Sequence, residues 1–216
     1  MSEKVLALIC KRCFKPKKLV VNFQFDDNNE KPMFINDMII NTWCNKCKRN
    51  YPHFFTDLEI SNSVSILNKC GYTTKYSCQG HPEIDENGKL RAYDTYIDVS
   101  GNKPLGIDLY TRLSKIGFNE WHIRNINNNL IGPTIDTSNL LELNILLEST
   151  SFSFCYGLGK VMKRASEIDK EDISKEEKLE KMYKYFTTVN NKLFRVLNKY
   201  AYDQYEKMKE LIQNGG

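Results

Sequence analysis

The sequence predicts an α+β protein in three consecutive parts, and three patterns carry that reading. Two Cys-x-x-Cys pairs, Cys10/Cys13 and Cys44/Cys47, bracket strand-like segments near the N-terminus. The middle of the chain switches between helical and strand periodicity. The end carries one sustained apolar seam in steps of three and four. The expected parts are a zinc ribbon over 1–56, a small α/β sandwich domain over 57–136 and a long helical hairpin over 137–216.

In the first part, Lys18 to Phe25 and Phe34 to Ile40 read as strands, with Asp26-Asp27-Asn28-Asn29 as the turn between them. In the second, Leu58, Ile60, Val64, Leu67 and Cys70 recur at helical spacing, and Gly71 is a natural stop. Tyr72 to Cys78 and Ala92 to Val99 read as strands, joined by a surface loop from Pro82 to Gly88. Pro104 opens a second helix carrying Leu105, Leu109, Leu113 and Ile116. Strands follow through Phe118, Trp121 and Ile123 and near Leu130-Ile131, which gives one sheet with two helices on one face.

The third part reads as all helical. Thr137 or Ser138 caps a helix with Leu140, Leu141, Leu143, Ile145, Leu146 and Leu147, and Phe152, Phe154 and Tyr156 fall on a helix unless the chain kinks or turns to strand. Ser174 with Glu177 forms a capping box. Leu179, Met182, Phe186, Val189, Leu193, Val196 and Tyr200 then make the seam, Asp203 interrupts it, and Tyr205, Met208 and Ile212 resume on a shifted phase. A helix of that length, roughly 60 Å, needs a partner along it.

The chain has 216 residues, 41% hydrophobic and 27% charged, which suits an ordinary globular protein with a real core. No apolar run is long enough for a membrane span. The run from Val5 to Ile9 lacks a small-residue cleavage site and continues into Cys10, so it reads as a strand and not a signal peptide. Seven cysteines are an odd number, with four in two tight pairs. That usage fits metal binding in a reducing cytoplasm better than a disulfide framework.

Each Cys-x-x-Cys turn aims two thiolates at one point, and two such turns complete a tetrahedron. Four sulfurs leave no open position, so a zinc ion held by Cys10, Cys13, Cys44 and Cys47 is structural, contributing on the order of 10 to 16 kcal/mol to folding. The competing reading is two unrelated buried or redox pairs, but neither pair sits in a thioredoxin-like setting. The formal charge of +4 falls to about +2 once four thiolates and one Zn²⁺ are counted. The positive charge is concentrated at the cysteines, where Lys11, Arg12, Lys15, Lys46, Lys48 and Arg49 are candidate phosphate contacts.

The most unusual stretch runs from Leu67 to His81 and ends in Ser77, Cys78, Gln79, Gly80 and His81, small and polar groups at the expected C-terminal end of a strand. Ligands often sit at that edge in α/β folds. Several readings stay open: a second metal site from Cys70, Cys78 and His81, a Cys78/His81 nucleophilic pair, a ligand pocket completed by Arg91, Tyr96 or His122, or a purely structural turn. His53 reads as packing, Trp121-His122 as ordinary strand residues, and Gly157-Leu158-Gly159-Lys160 is too short for a phosphate loop.

The segment Gly-Tyr-Thr-Thr-Lys-Tyr-Ser-Cys-Gln-Gly-His resembles that of a group of short, uncharacterised zinc-ribbon proteins of low-GC Gram-positive bacteria and their phages. Together with Gly117-Phe118 it is also distantly similar to the wybutosine-synthesis methyltransferase family of tRNA modification. Ser77, Cys78 and Gly80 match that family's Thr-Ser-Ser-Cys-Ser-Gly-Arg motif, while Gln79 and His81 replace its Ser and Arg. The resemblance covers residues 57 to about 125 and implies an α/β fold with a nucleotide-facing pocket, in a bacterial host cytoplasm.

Three functions are therefore expected in order. The first is a non-enzymatic zinc protein engaging a nucleic acid or nucleoprotein, as a phage-borne regulator or counter-defence inhibitor. The second is an enzyme or sensor acting on a nucleotide or RNA through Ser77 to His81. The third is an interaction module pairing through the C-terminal helix with itself or another protein.

Overall fold

A computed structural model of the chain describes residues 2–23, 39–100, 106–123 and 151–214. They form a mixed α+β fold with two four-stranded antiparallel sheets and a long C-terminal helix. Among the described residues no helix is long and apolar enough to cross a membrane.

The first sheet comprises β1 (Ser2–Cys10), β2 (Pro16–Phe23), β3 (Ile39–Cys44) and β4 (Arg49–Asp57), ordered β2-β1-β4-β3. Both faces carry apolar groups, because successive residues of a strand point to opposite sides. Leu6, Leu8 and Phe55 form one small cluster with Leu19 and Ile40. Ile9 and Phe54, opposite each other in the register, belong instead to the main core. The strand expected over Lys18 to Phe25 is β2, which starts two residues earlier, while residues 24 and 25 lie outside the described residues. Most of the one expected over Phe34 to Ile40 lies outside the described residues, where 24–38 fall.

The second sheet comprises β5 (Thr73–Ile84), β6 (Leu90–Ser100), β7 (Glu120–Ile123) and β8 (Ser151–Cys155), ordered β5-β6-β8-β7. Helix α1 (Ser61–Lys69) ends as its glycine foretells. Gly71 takes a left-handed φ of 90°, its amide donates to Asn68 O, and the Tyr72 amide donates to Leu67 O, a Schellman closure. Val64 and Leu67 of α1 and Leu109 and Leu113 of α2 (Ile107–Lys115) share one core with Ile97, Val99 and Phe154 of the sheet. Two helices therefore cover one face of it.

Two expectations about this region are corrected. Residues 137–216 are not all helical, since Ser151–Cys155 is β8 and lies between β6 and β7. Phe154 stands opposite both Ile97 and Trp121, so its period-2 alternation records a buried central strand and not a helix. The motif from Ser77 to His81 does not end its strand either. The hairpin register continues through Pro82–Ala92, Glu83–Arg91 and Ile84–Leu90, and the expected Pro82–Gly88 loop shrinks to the turn after Ile84. Pro82 is tolerated because β5 is the edge strand. The strand near Leu130-Ile131 and the helix from Thr137 lie outside the described residues.

Helices α3 (Leu158–Asp169) and α4 (Lys175–Asn214) follow. The capping box is present: the Ser174 amide donates to Glu177 Oε2 at 2.9 Å, and the Glu177 amide donates to Ser174 Oγ at 3.2 Å. Met182 and Phe186 of α4 pack with Val161, Ala165 and Ile168 of α3 over Leu90 and Ala92. Val189, Leu193, Leu197 and Tyr200 continue the same stripe into the main core. Leu197, one residue past the expected Val196, is the fully buried one. An α-helix with 3.6 residues per turn drifts away from a strict heptad when it packs on a sheet and does not supercoil. Asp203 breaks the stripe because it meets Arg112 of α2 at 2.6 Å, and Arg112 also holds Asp108 at 2.7 Å.

One carboxyl group sits at a cost inside this packing. Asp94 of β6 accepts the Gly157 amide at 3.0 Å, and its Oδ1 is buried with no hydrogen-bond partner among the described residues. Burial, with the charge of Glu120 adding to it, raises its pKa to about 6 against the pull of the Gly157 and Thr95 amides and Lys160. The folded state thus holds this proton more tightly than the unfolded chain does. The fold loses stability as pH rises from about 4 to 6 and carries the full penalty above that, roughly 3 kcal/mol. Asp94→Asn keeps an acceptor for Gly157, so urea unfolding at pH 7 should show it more stable than wild type by about 1 to 3 kcal/mol. The gain should vanish as pH approaches 4.

Candidate metal centre

Cys10 ends β1 and Cys44 ends β3, and each is followed by a tight turn that supplies the second cysteine. The two turns are built alike. The Phe14 amide donates to Cys10 O and the Lys48 amide to Cys44 O, both at 2.9 Å. Phe14 and Lys48, each one residue past the second cysteine, take left-handed φ angles of 53° and 55°. Such a conformation is strained for residues with a side chain, and here it is held at both turns by the same closing bond. The Ser65 hydroxyl of α1 donates to Phe14 O, tying the first turn to the body of the protein.

The strand order brings the turns together. β1 and β3 both pair with β4, so their ends lie at the same end of the sheet, and Cys10 stands opposite His53 while Cys44 stands opposite Arg49. The ligand atoms of Cys10, Cys13, Cys44 and Cys47 all lie within 4.8 Å of one another, and this set could hold a metal ion. Cys13 Sγ and Cys44 Sγ are 3.6 Å apart. A tetrahedral ion with sulfurs at about 2.3 Å would set them about 3.8 Å apart, so the pocket has the right size. Among the described residues no other group of three or more such ligands converges this way, so the alternative of a second site from Cys70, Cys78 and His81 is not formed. His53 is buried and binds Tyr51 O through Nδ1 at 2.8 Å, outside the four-sulfur set.

The thiols disturb one another strongly. Burial raises Cys10, and burial with hydrogen bonds from Cys44, Cys13 and Cys10 pushes Cys47 up to about 12. At Cys44 burial is again the largest single effect, but the Cys47 amide and the neighbouring thiols together outweigh it and pull the group down to about 6. The amide contact itself measures 3.5 Å. Cys44 gathers the charge while Cys10 and Cys47 resist ionising, a conflict that a bound dication would remove.

The basic residues gather around this centre. Lys11, Arg12, Lys15, Lys46, Lys48 and Arg49 are all exposed on the two turns and their flanks. Arg12 crosses from the first turn to Tyr51 of β4, donating to its hydroxyl at 2.5 Å with the guanidinium 5.2 Å from the ring centre. Trp43, next to Cys44, is also exposed.

The motif of β5 is placed elsewhere, at the seam between the two sheets and α4. Ser77 is buried and its hydroxyl meets Thr56 Oγ1 of β4 at 2.8 Å. The Gln79 amide donates to Asp57 Oδ2 at 3.2 Å, its side chain accepts the Glu59 amide at 3.0 Å, and its carbonyl accepts Asn190 Nδ2 of α4 at 2.7 Å. Gly80 has a φ of +79°, and a Cβ there would overlap the Phe186 ring and lie 2.8 Å from Thr95 Oγ1. Cys78 Sγ and His81 Nδ1 are 3.6 Å apart. Tyr96 lies opposite Cys78 in the register, whereas Arg91 pairs with Asp85 at 2.9 Å at the far end of the hairpin. Lys160, from the glycine-rich Gly157-to-Lys160 run, donates to Gly117 O at 2.7 Å and Tyr156 O at 3.1 Å, tethering α3 to the start of β7. Sequence reasoning missed the roles of Phe186 and Asn190, whose partners are more than a hundred residues away.

No known protein family, curated protein or solved structure matches the chain.

The protein should bind one divalent ion per chain, measured by elemental analysis after dialysis. Cys44→Ser and Cys47→Ser should each drop that ratio to near zero, and Cys155→Ser, buried at the end of β8 and far from the four in sequence, should leave it at one.

Proposed function

We propose that the chain is a zinc-binding, non-enzymatic protein whose N-terminal sheet and cysteine turns form a zinc ribbon that docks on the phosphates of a nucleic acid or nucleoprotein. The observation that carries this reading is the convergence of both turns, and of six exposed cations on them, around one closed four-sulfur centre. Four thiolates in a tetrahedron suit zinc, and they leave no position for a substrate. Lysines and arginines fixed on rigid turns attract phosphate regardless of sequence, and the exposed Trp43 offers a face on which a base can stack. The resemblance to short phage-borne zinc-ribbon proteins fits a regulator or counter-defence inhibitor acting in a bacterial cytoplasm.

Binding to single- and double-stranded DNA and RNA should weaken steeply with salt, the logarithm of affinity falling linearly with that of salt concentration. Lys46→Ala and Lys48→Ala should each lower that slope by about 1 while leaving zinc content intact. A flat response with every nucleic acid would contradict the nucleic-acid reading.

A second reading rests on the end of α4, where the buried stripe stops at Tyr200. Tyr202, Tyr205, Met208, Leu211 and Ile212 beyond it are all more than half exposed. Glu206 and Glu210 flank Lys207 and Lys209 beside this apolar stripe, so these four side chains carry no net charge to hold two copies apart. We take its occupant to be a second copy of the chain. Sedimentation equilibrium should show a weak dimer that Met208→Glu with Ile212→Glu converts to monomer. A wild-type monomer at high micromolar concentration would rule out self-pairing.

A further inference from the structure

We propose that Cys78 is a modification site, a reactive thiol held by His81 and the Gly80 amide that exchanges with low-molecular-weight disulfides. Residues three apart on a regular strand point to opposite faces, so Cys78 and His81 should not meet. They do because Gly80 turns the chain with its left-handed φ, leaving Cys78 Sγ 3.6 Å from His81 Nδ1 and 3.4 Å from the Gly80 amide, which donates to it. A positioned imidazole and an amide donor both favour the thiolate over the thiol.

The surroundings hold that arrangement in place. The Phe186 ring occupies the space a Gly80 side chain would need, and Asn190 Nδ2 and Thr95 Oγ1 both donate to Gln79 O, at 2.7 Å and 2.9 Å. The His81 ring stacks on Tyr93 with centroids 4.6 Å apart, and the Tyr93 hydroxyl donates to Glu83 Oε1 at 2.6 Å. The titratable groups that face the pair are Tyr93 and Tyr96 on β6, Glu83 on its own strand and Asp57 on β4, whose carboxylate accepts the Gln79 amide. Cys78 lies on the edge strand and is half-buried, so a small reagent reaches it without unfolding.

The other cysteines differ in ways that bear on this. Four belong to the metal centre. Cys155 is buried, and burial together with the charge of Asp94 pushes its thiol up to about 12. Cys70, half-buried like Cys78, closes the C-terminus of α1 and serves as an internal reference.

In the exchange, the Cys78 proton moves to His81 and the thiolate attacks one sulfur of the disulfide. A new sulfur–sulfur bond forms, the old one breaks, and the leaving thiolate takes the proton back from His81. Cys78 is oxidised to a mixed disulfide and half of the reagent is released as its reduced thiol.

The test uses the full metal-loaded chain with limiting iodoacetamide, and separately with oxidised glutathione, each site followed by peptide mass spectrometry across pH 5 to 9. At pH 7 Cys78 should be alkylated about tenfold faster than Cys70, with a rate midpoint below the ordinary thiol value of about 8.5. Oxidised glutathione should add a single adduct at Cys78. His81→Gln should abolish the advantage and return the midpoint to the ordinary value, with metal content unchanged. Tyr93→Leu, which frees the ring while leaving both reacting groups, should shift the midpoint part of the way. Equal rates at Cys78 and Cys70, or an unchanged pH profile in His81→Gln, would overturn the proposal.

Discussion

Four sulfur atoms from two turns, more than thirty residues apart in sequence, meet inside 4.8 Å, and the N-terminal sheet is organised around that meeting. Its strand order puts the ends of β1 and β3 at one end of the sheet, and each turn closes on a strained left-handed residue just after its second cysteine. The apolar cluster on the outer face is small, three buried residues and two partly buried ones. With so small a cluster on that face, the sheet would gain from a bound metal, since a structural zinc contributes more to folding than such a cluster can. The same two turns and their flanks also carry the exposed Lys11, Arg12, Lys15, Lys46, Lys48 and Arg49.

The second organising contact is the long helix. α4 touches both core clusters, with Met182 and Phe186 in one and Val189 through Tyr200 in the other. In its first half, Phe186 and Asn190 seat the kinked backbone of Gln79 and Gly80, and that kinked strand in turn bonds to Thr56 and Asp57 of the first sheet. The unusual motif is therefore the joint between the cysteine-bearing sheet and the rest. Chemistry at Cys78 would act on that joint, which gives a modification there a route to the N-terminal surface.

Much of this was legible in the sequence where local physics decides the outcome. The capping box at Ser174, the stop at Gly71 and the paired cysteines are short-range signals, and the structure contains each of them. The stretch from Phe152 to Tyr156 was harder, because a five-residue apolar alternation just ahead of a helix suits either period until the register partners of Phe154, Ile97 and Trp121, are known. The placement of Ser77 to His81 was harder still. Its Ser-Cys-Gln-Gly-His chemistry reads as a strand's end, yet the hairpin runs on for three more residues and the glycine serves Phe186 from a distant helix. No local pattern announces a contact of that range. The left-handed residues Phe14 and Lys48 carried no glycine to mark them.

The cluster of Cys10, Cys13, Cys44 and Cys47 could hold a metal ion, and we propose that the ion is zinc. X-ray absorption at the zinc edge of the purified protein measures its surroundings without any variant. Four sulfur neighbours at about 2.3 Å and no lighter ligand are the predicted result. A shell containing nitrogen or oxygen, or a spectrum from another metal, would contradict the account.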